Sequence, residues 1–251
     1  MNWHERYVQQ ARWTHDLRAY LFDKAGLKHA SRVLEVGCGT GAVLSEIDSS
    51  ASLTCAGAQC QCHGLDLSRA ALTETRLHAP RASLVHADAL SLPYADYVFD
   101  ITFCHFLLLW VRDPLTAVRE MARVTRPQGH VLALAEPDYS QRVDKPESLV
   151  PLGIWQAEAL RAQGADPSFG ARLAETFARA GIEVIQTGTI QRSGDEASRE
   201  EREKEWAVLE ADLAASVSGE DIHKMKLLDE QAWERGERVL FVPTYFVWGR
   251  V

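Results

Sequence analysis

The chain has 251 residues, 46% of them hydrophobic and 25% charged, with a formal net charge of -8. This is the make-up of a soluble globular protein with ample core material, on the scale of one large domain. No Lys/Arg cluster reaches the density of a nucleic-acid or anionic-membrane footprint, so neither is an expected partner. Met1 to Tyr20 is charged throughout and lacks a signal-peptide core, and no stretch nears the roughly 18 apolar residues of a membrane span. The expected compartment is the cytoplasm.

Tyr7, Ala11, Thr14, Leu17 and Leu21 recur at helical spacing and predict one amphipathic helix from Trp3 to Leu27. "SRVLEVG" reads as a buried strand and "TGAVLSEI" as the helix after it. "SSASLTCAGAQCQ" is small and polar, hence a loop. "CHGLDLS" is a second strand ending at Asp66, and Ser68 caps a helix that runs to about His78. "ASLVHADA" forms a third strand, followed by the turn "LSLPYADY". "YVFDITFCH" forms a fourth, followed by the short apolar stretch "FLLLWV". In "RDPLTAVREMARVTRPQG", Asp113 is the expected N-cap, Pro114 takes the first helical position and Gly129 lies beyond the end. "HVLALAEPDY" is the fifth strand and the loop leaving it.

Past that loop the rhythm changes. Residues 140 to 166 read as loop plus helix, "PSFGARLAETFARAGI" as another helix and "IEVIQTGTIQ" as a sixth strand. From Asp195 to Arg235 the chain is charged and helical, with Trp206, Leu209, Leu213, Leu227, Leu228 and Ala232 as its apolar positions. "RVLFVPTYFVWGRV" is the last strand. Strands alternating with helices imply an α/β protein with an open, mostly parallel sheet and helices on both faces. Ligands in such sheets bind at the carboxyl ends of the strands, near the point where strand order reverses. The residues just past the first five strands are therefore the candidates.

The five cysteines, Cys38, Cys55, Cys60, Cys62 and Cys104, are odd in number and form no disulfide framework. Cys55, Cys60 and Cys62 beside His63 are zinc-ligand types, but their spacing is not a usual zinc pattern. Free thiols or an adventitious disulfide are expected, and no metal.

Within "VLEVGCGTGAVL", three glycines fall in five positions, at the turn from strand to helix, where a bare backbone lets a ligand approach. Gly37, Gly39 and Ala42 satisfy the dinucleotide pattern, and Asp66 stands about where its ribose-binding acid belongs, so NAD is open at this point. Glu35 points the other way. That strand-end position is normally apolar in a dinucleotide fold, whereas an acid there can accept from the ammonium of an amino-acid-bearing cofactor.

Taken in order, "VLEVGCGTG", "GLDLS", "HADALSLPYADYVFDITFCHFLLLWV" and "EMARVTRPQGHVLALAEPDY" resemble the class I S-adenosylmethionine-dependent methyltransferases. The small-molecule branch, similar to the ubiquinone/menaquinone-biosynthesis and type 11 enzymes, is nearest. The resemblance covers residues 30 to 139 firmly and the last two strands more loosely. It implies a Rossmann-like seven-stranded sheet with an antiparallel last strand, S-adenosyl-L-methionine as cofactor and S-adenosyl-L-homocysteine as product. It places Glu35, Gly37, Cys38, Gly39 and Gly41 around the methionyl and ribose parts, and Asp66 on the ribose hydroxyls with Leu67 flanking the adenine. Asp88 and Ala89 would meet the adenine edge. Phe103, Cys104 and His105 would lie along the cofactor beside the substrate.

The expected organisation is one domain: a helical cover (1–30), a cofactor-binding core (31–139), helical cap segments (140–166 and 195–235) and final strands (182–191 and 239–251). A sulfonium methyl is already well activated, so the enzyme mainly has to hold the acceptor in line with the breaking bond and exclude water. Proximity and orientation alone can supply about 7–11 kcal/mol, and a general base would add about 10²–10⁴-fold. His105 and Glu136, at the exits of the fourth and fifth strands, are the catalytic candidates. Tyr7, Trp13, His105, Tyr139 and Trp155 are the candidates for acceptor binding, and the aromatic cover segments suggest a small apolar or aromatic acceptor. An NAD-dependent oxidoreductase and a catalytically silent S-adenosylmethionine-binding protein are the alternatives. Self-association into a homodimer is left open by the sequence.

Overall fold

The computed structural model describes residues 3–49, 54–55, 58–190 and 198–251. Where one N-terminal helix is expected there are two, α1 (Trp3–Trp13) and α2 (His15–Lys24). Thr14 breaks them: its hydroxyl donates to the Ala11 carbonyl (3.2 Å) and accepts from the buried Arg18 guanidinium. Such local side-chain bonding competes with helix continuation.

The central sheet contains β1 (Arg32–Val36), β2 (Gln61–Asp66), β3 (Ser83–His86), β4 (Phe99–Cys104), β5 (Thr125–Pro137), β6 (Glu183–Ile190) and β7 (Thr244–Arg250). Their spatial order is β3-β2-β1-β4-β5-β7-β6. β7 pairs antiparallel with both β5 and β6, and the other pairings are parallel. Helices cover both faces of the sheet, and all six residues of β4 are buried.

The helices are α3 (Leu44–Ser49), α4 (Arg69–His78), α5 (Pro114–Val124), α6 (Val150–Ala162), α7 (Leu173–Arg179), α8 (Arg199–Leu213) and α9 (Gly219–Glu234). Successive strand residues divide between two cores, as side-chain alternation requires. Val33, Phe103 and Leu132 pack with Phe22, Leu44 and Leu72, while Leu34, Cys104 and Ala133 pack with Val118, Met121 and Phe177. A third cluster joins α6, α8 and α9 through Leu152, Trp206, Leu209, Leu213, Met225 and Ala232.

The expected caps form: Ser68 Oγ accepts from the Ala71 N–H (3.2 Å) and Asp113 from the Thr116 N–H (3.1 Å). Other boundaries differ. The helix after the glycine loop starts only at Leu44. Gly129 is no helix cap, because α5 ends at Val124 and Thr125 already has extended backbone. A Cβ at Gly129 would lie 2.8 Å from the Arg126 and Asp100 carbonyl oxygens, so close packing is what glycine permits there. The expected loop between β1 and β2 holds a small rung, Thr54–Cys55 against Ala58–Gln59. The last expected strand is two, since Val239–Phe241 pairs with Val143–Lys145 before β7 begins. Leu227 is 44% exposed rather than part of the α9 core.

Residues 195–197 of the expected charged insert and the Cys55 side chain lie outside the described residues. Cys60 and Cys62 are buried free thiols. Among the described residues, no helix is long and apolar enough to cross a membrane.

Candidate active site

Strand order reverses between β1 and β4, and a cavity of about 460 Å³ opens there, past the carboxyl ends of β1, β2 and β4. Glu35, Gly37, Cys38, Gly39, Asp66 and His105 line it, and Trp3 and Tyr7 of α1 close over it.

The glycine loop is held by its own backbone. The N–H groups of Gly37 and Cys38 both donate to the Leu65 carbonyl (2.7 and 2.9 Å). Gly37 has φ 73°, and a Cβ there would stand 2.6 Å from Leu107 Cδ1. The Gly39 N–H donates to Asp66 Oδ2 (2.8 Å) and the Ser68 N–H to Oδ1 (2.8 Å). Asp66 is thus aimed by two amides and keeps lone pairs for further donors on the cavity side.

Glu35 is 2% exposed, and its Oε2 has no hydrogen-bond partner among the described residues. Burial pushes its pKa well above the ordinary carboxylate range, against the pull of Arg18. An unpartnered buried carboxyl oxygen is costly unless a donor meets it. A cation-bearing ligand in this cavity would supply one. Cys38 is also buried, and burial pushes its thiol up, so it is a filler of the loop and not a nucleophile.

Several of the expected residues do not line this cavity. Gly41 does not line the cavity; a Cβ there would meet Thr75 Cγ2 at 2.8 Å, so this glycine lets α4 approach the loop. Leu67 is 68% exposed, and Asp88 is an exposed turn residue whose Oδ1 accepts from the Leu90 N–H (2.9 Å). Ala89 packs in the core. Phe103 and Cys104 are fully buried on opposite faces of β4, Phe103 edge-on to Phe22 with centroids 5.1 Å apart. They are strand-interior residues. The wall comes from the next turn, His105, Phe106 and Leu107.

His105 Nε2 lies 2.9 Å from Thr14 Oγ1. Burial, reinforced by Arg18, holds its pKa down to about 3, so the imidazole is neutral. Its ring resonances are expected not to titrate between pH 8 and 5 in an NMR titration. A transition near pH 6.5 would contradict this placement.

Glu136, expected as a second catalytic group, lines neither cavity. It is fully buried, and its carboxylate accepts from the N–H groups of Leu107 (3.0 Å), Leu108 (2.9 Å) and Leu109 (3.2 Å). These are the unpaired amides of the turn Leu108–Trp110. Burial raises its pKa to about 7 while the three amides oppose the rise. Glu136 is a positioning residue that sets the wall turn.

A second cavity, of about 210 Å³, adjoins the first under α6, α8 and α9 and takes in Trp13, Trp206, Trp233 and Phe241. Arg6, Gln10, Phe106, Pro137, Tyr139 and Gln156 line both and mark the junction. Trp155 lines neither and packs on the α6/α8/α9 cluster. The sequence reading missed Arg6, Gln10, Arg142, Gln156, Trp233 and Arg238. For α1 a signal existed: Trp3, Arg6, Tyr7, Gln10 and Trp13 follow helical spacing, which describes one face turned to the cavities.

Residues 34–133 match the family model described as a methyltransferase domain. The chain is 37% identical over 107 residues to malonyl-[acyl-carrier protein] O-methyltransferase of Halorhodospira halophila, covering 41% of this chain and 34% of that protein. It is 35% identical over 120 residues to ubiquinone biosynthesis O-methyltransferase of Vibrio cholerae, covering 45% and 44%. The matches thus span less than half the length of these curated relatives. The solved structure of a SAM-dependent methyltransferase from Thermotoga maritima superposes with TM-score 0.57 at 16% identity, covering 99% of this chain and 95% of that one. Over residues 34–133 the chain is therefore similar to methyltransferase domains, within a fold shared with solved methyltransferase structures.

Proposed function

We propose that the protein transfers a methyl group from S-adenosylmethionine to a small, apolar or aromatic acceptor. The observation that carries this reading is that Glu35, whose buried Oε2 is unpartnered among the described residues, lines the same cavity as Asp66, beside the glycine loop. An amino-acid end and a ribose suit that pair of acids; Asp66 would serve the ribose of either ligand, whereas the Glu35 carboxyl beside the glycine loop favours an ammonium over a pyrophosphate. When bound, the cofactor supplies an activated methyl on a sulfonium.

The chain's own residues then do the rest. Glu35 would accept from the ammonium, Asp66 from the ribose hydroxyls, and Gly37, Cys38 and Gly39 would pass close along the ligand. Phe106, Pro137 and Tyr139 would form the neck through which acceptor and methyl meet, and Trp13 and Tyr7 would help shut out water. The helices α1, α6, α8 and α9 serve as the cover. Neutral His105, in the wall of the first cavity, would be only a weak base, so orientation and water exclusion would supply most of the rate.

Calorimetric titration with S-adenosylhomocysteine and with NAD tests the reading. Binding of the former alone is expected, weakened about 100-fold or more in Asp66→Ala, since two hydrogen bonds to a charged acceptor are lost. Preference for NAD, or unchanged affinity in the variant, would overturn it.

A further inference from the structure

Gln156 sits where the two cavities meet. Its Oε1 accepts from an Arg142 Nη1–H. A guanidinium only donates, so the amide oxygen must face Arg142 and the amide NH₂ must face away from it. Among the described residues that NH₂ makes no hydrogen bond.

Arg142 is itself held. It forms a fork on Asp144 (Nε–Oδ2 2.7 Å, Nη2–Oδ1 2.9 Å). Arg238 grips Asp144 Oδ1 (2.7 Å) and Asp229 Oδ1 (2.5 Å), and Trp206 Nε1–H donates to Asp229 Oδ2 (2.7 Å). The four charged side chains are 2–7% exposed. Apolar packing would stabilise this cover at least as well, since buried ion pairs lose much of their Coulomb gain to desolvation. What the network adds is a single orientation for the Gln156 amide. It spans α6, the Val143–Lys145 strand and α9, and ends one bond from the cavity junction.

We infer that Gln156 selects and orients the methyl acceptor, donating an N–H to an oxygen lone pair on a small, planar, neutral aromatic molecule; this rests on the methyltransferase reading of the same site. The charges around the second cavity favour a neutral guest. Arg142 and Arg238 are matched by Asp144 and Asp229, Arg6 by Glu205, and Arg202 lies over the Trp233 ring at 4.8 Å. The size agrees: cavities of roughly 150 Å³ take benzene, so about 210 Å³ accommodates one substituted ring or a compact fused pair.

The test compares 1-indanone with indane, which share a skeleton and differ in the carbonyl, by ligand-observed NMR titration. Gln156→Leu is expected to weaken 1-indanone about tenfold and leave indane unchanged or tighter. Gln156→Glu, which keeps the length but loses the donor, should lose 1-indanone as fully. Arg142→Met should erode the same preference with Gln156 intact. Equal changes for both probes, or no uptake of either by the wild type, overturn the inference. S-adenosylhomocysteine titration of the same samples reports the methyltransferase reading separately, and melting curves confirm that each variant is folded.

Discussion

Glu136→Leu is expected to lower the melting temperature by roughly 8–16 °C, corresponding to about 4 kcal/mol in a chain of this size. The carboxylate is the common acceptor for three backbone N–H groups, those of Leu107, Leu108 and Leu109, at 2.9 to 3.2 Å. Each amide left buried without a partner costs about 1–3 kcal/mol, and leucine offers none of the three a partner. Glu136→Gln is expected to fall between the two. Its amide oxygen can serve Leu107 and Leu108, but its NH₂ would then confront the Leu109 N–H. Differential scanning calorimetry on the three proteins checks the ranking. A Leu variant within about 2 °C of wild type would show that the turn finds other acceptors.

The same residue has a pH signature whose sign differs from that of an ordinary ion-paired acid. Burial raises the folded pKa from the usual 4.5 to about 7, so between those values the folded state binds more protons than the unfolded one. Stability from this group is therefore complete below about pH 4.5 and is lost as pH rises through 7. The gap in melting temperature between wild type and Glu136→Gln should narrow from pH 5 to pH 8.

The placement of Glu136 also shows where sequence reading loses its hold. A carboxylate just past an apolar strand invites a catalytic reading, and its chain neighbours say nothing about the three amides, which lie 27 to 29 residues away. The strands and capped helices were legible because apolar period, Ser68, Asp113 and Pro114 are local signals. The glycine loop was legible because positive φ at Gly37 and Gly39 is demanded locally. Phe103 and Cys104 were not, because all six residues of β4 are buried and alternation cannot mark a ligand face there. Gly41 shares the positive φ of its neighbours, yet it faces Thr75 of α4, a long-range contact. The second cavity was the least legible part. Arg6 meets Glu205 across 199 residues and Arg238 meets Asp144 across 94, and no periodicity links such pairs.

Arg238→Met is expected to cost about 3–5 kcal/mol, the usual penalty for breaking a buried ion pair by removing one partner. Two carboxylates would be stranded: Asp229, keeping only the Trp206 N–H, and Asp144, keeping only Arg142. The loss should not spread evenly. The α6/α8/α9 cluster is separate from the two cores that sandwich the sheet, so the variant's cover should loosen before the sheet does. Tryptophan fluorescence, to which Trp155 and Trp206 of that cluster contribute, is expected to change at lower denaturant than far-ultraviolet circular dichroism, whereas in wild type the two transitions are expected to coincide. Asp229→Asn in the Arg238→Met background should cost less than the two single changes summed, because the amide removes the stranded charge and can still accept from Trp206. Coincident transitions in Arg238→Met, or strict additivity in the double variant, would mean that the network is no hinge between cover and core. The orientation of Gln156 would then have to come from the packing of α6 alone.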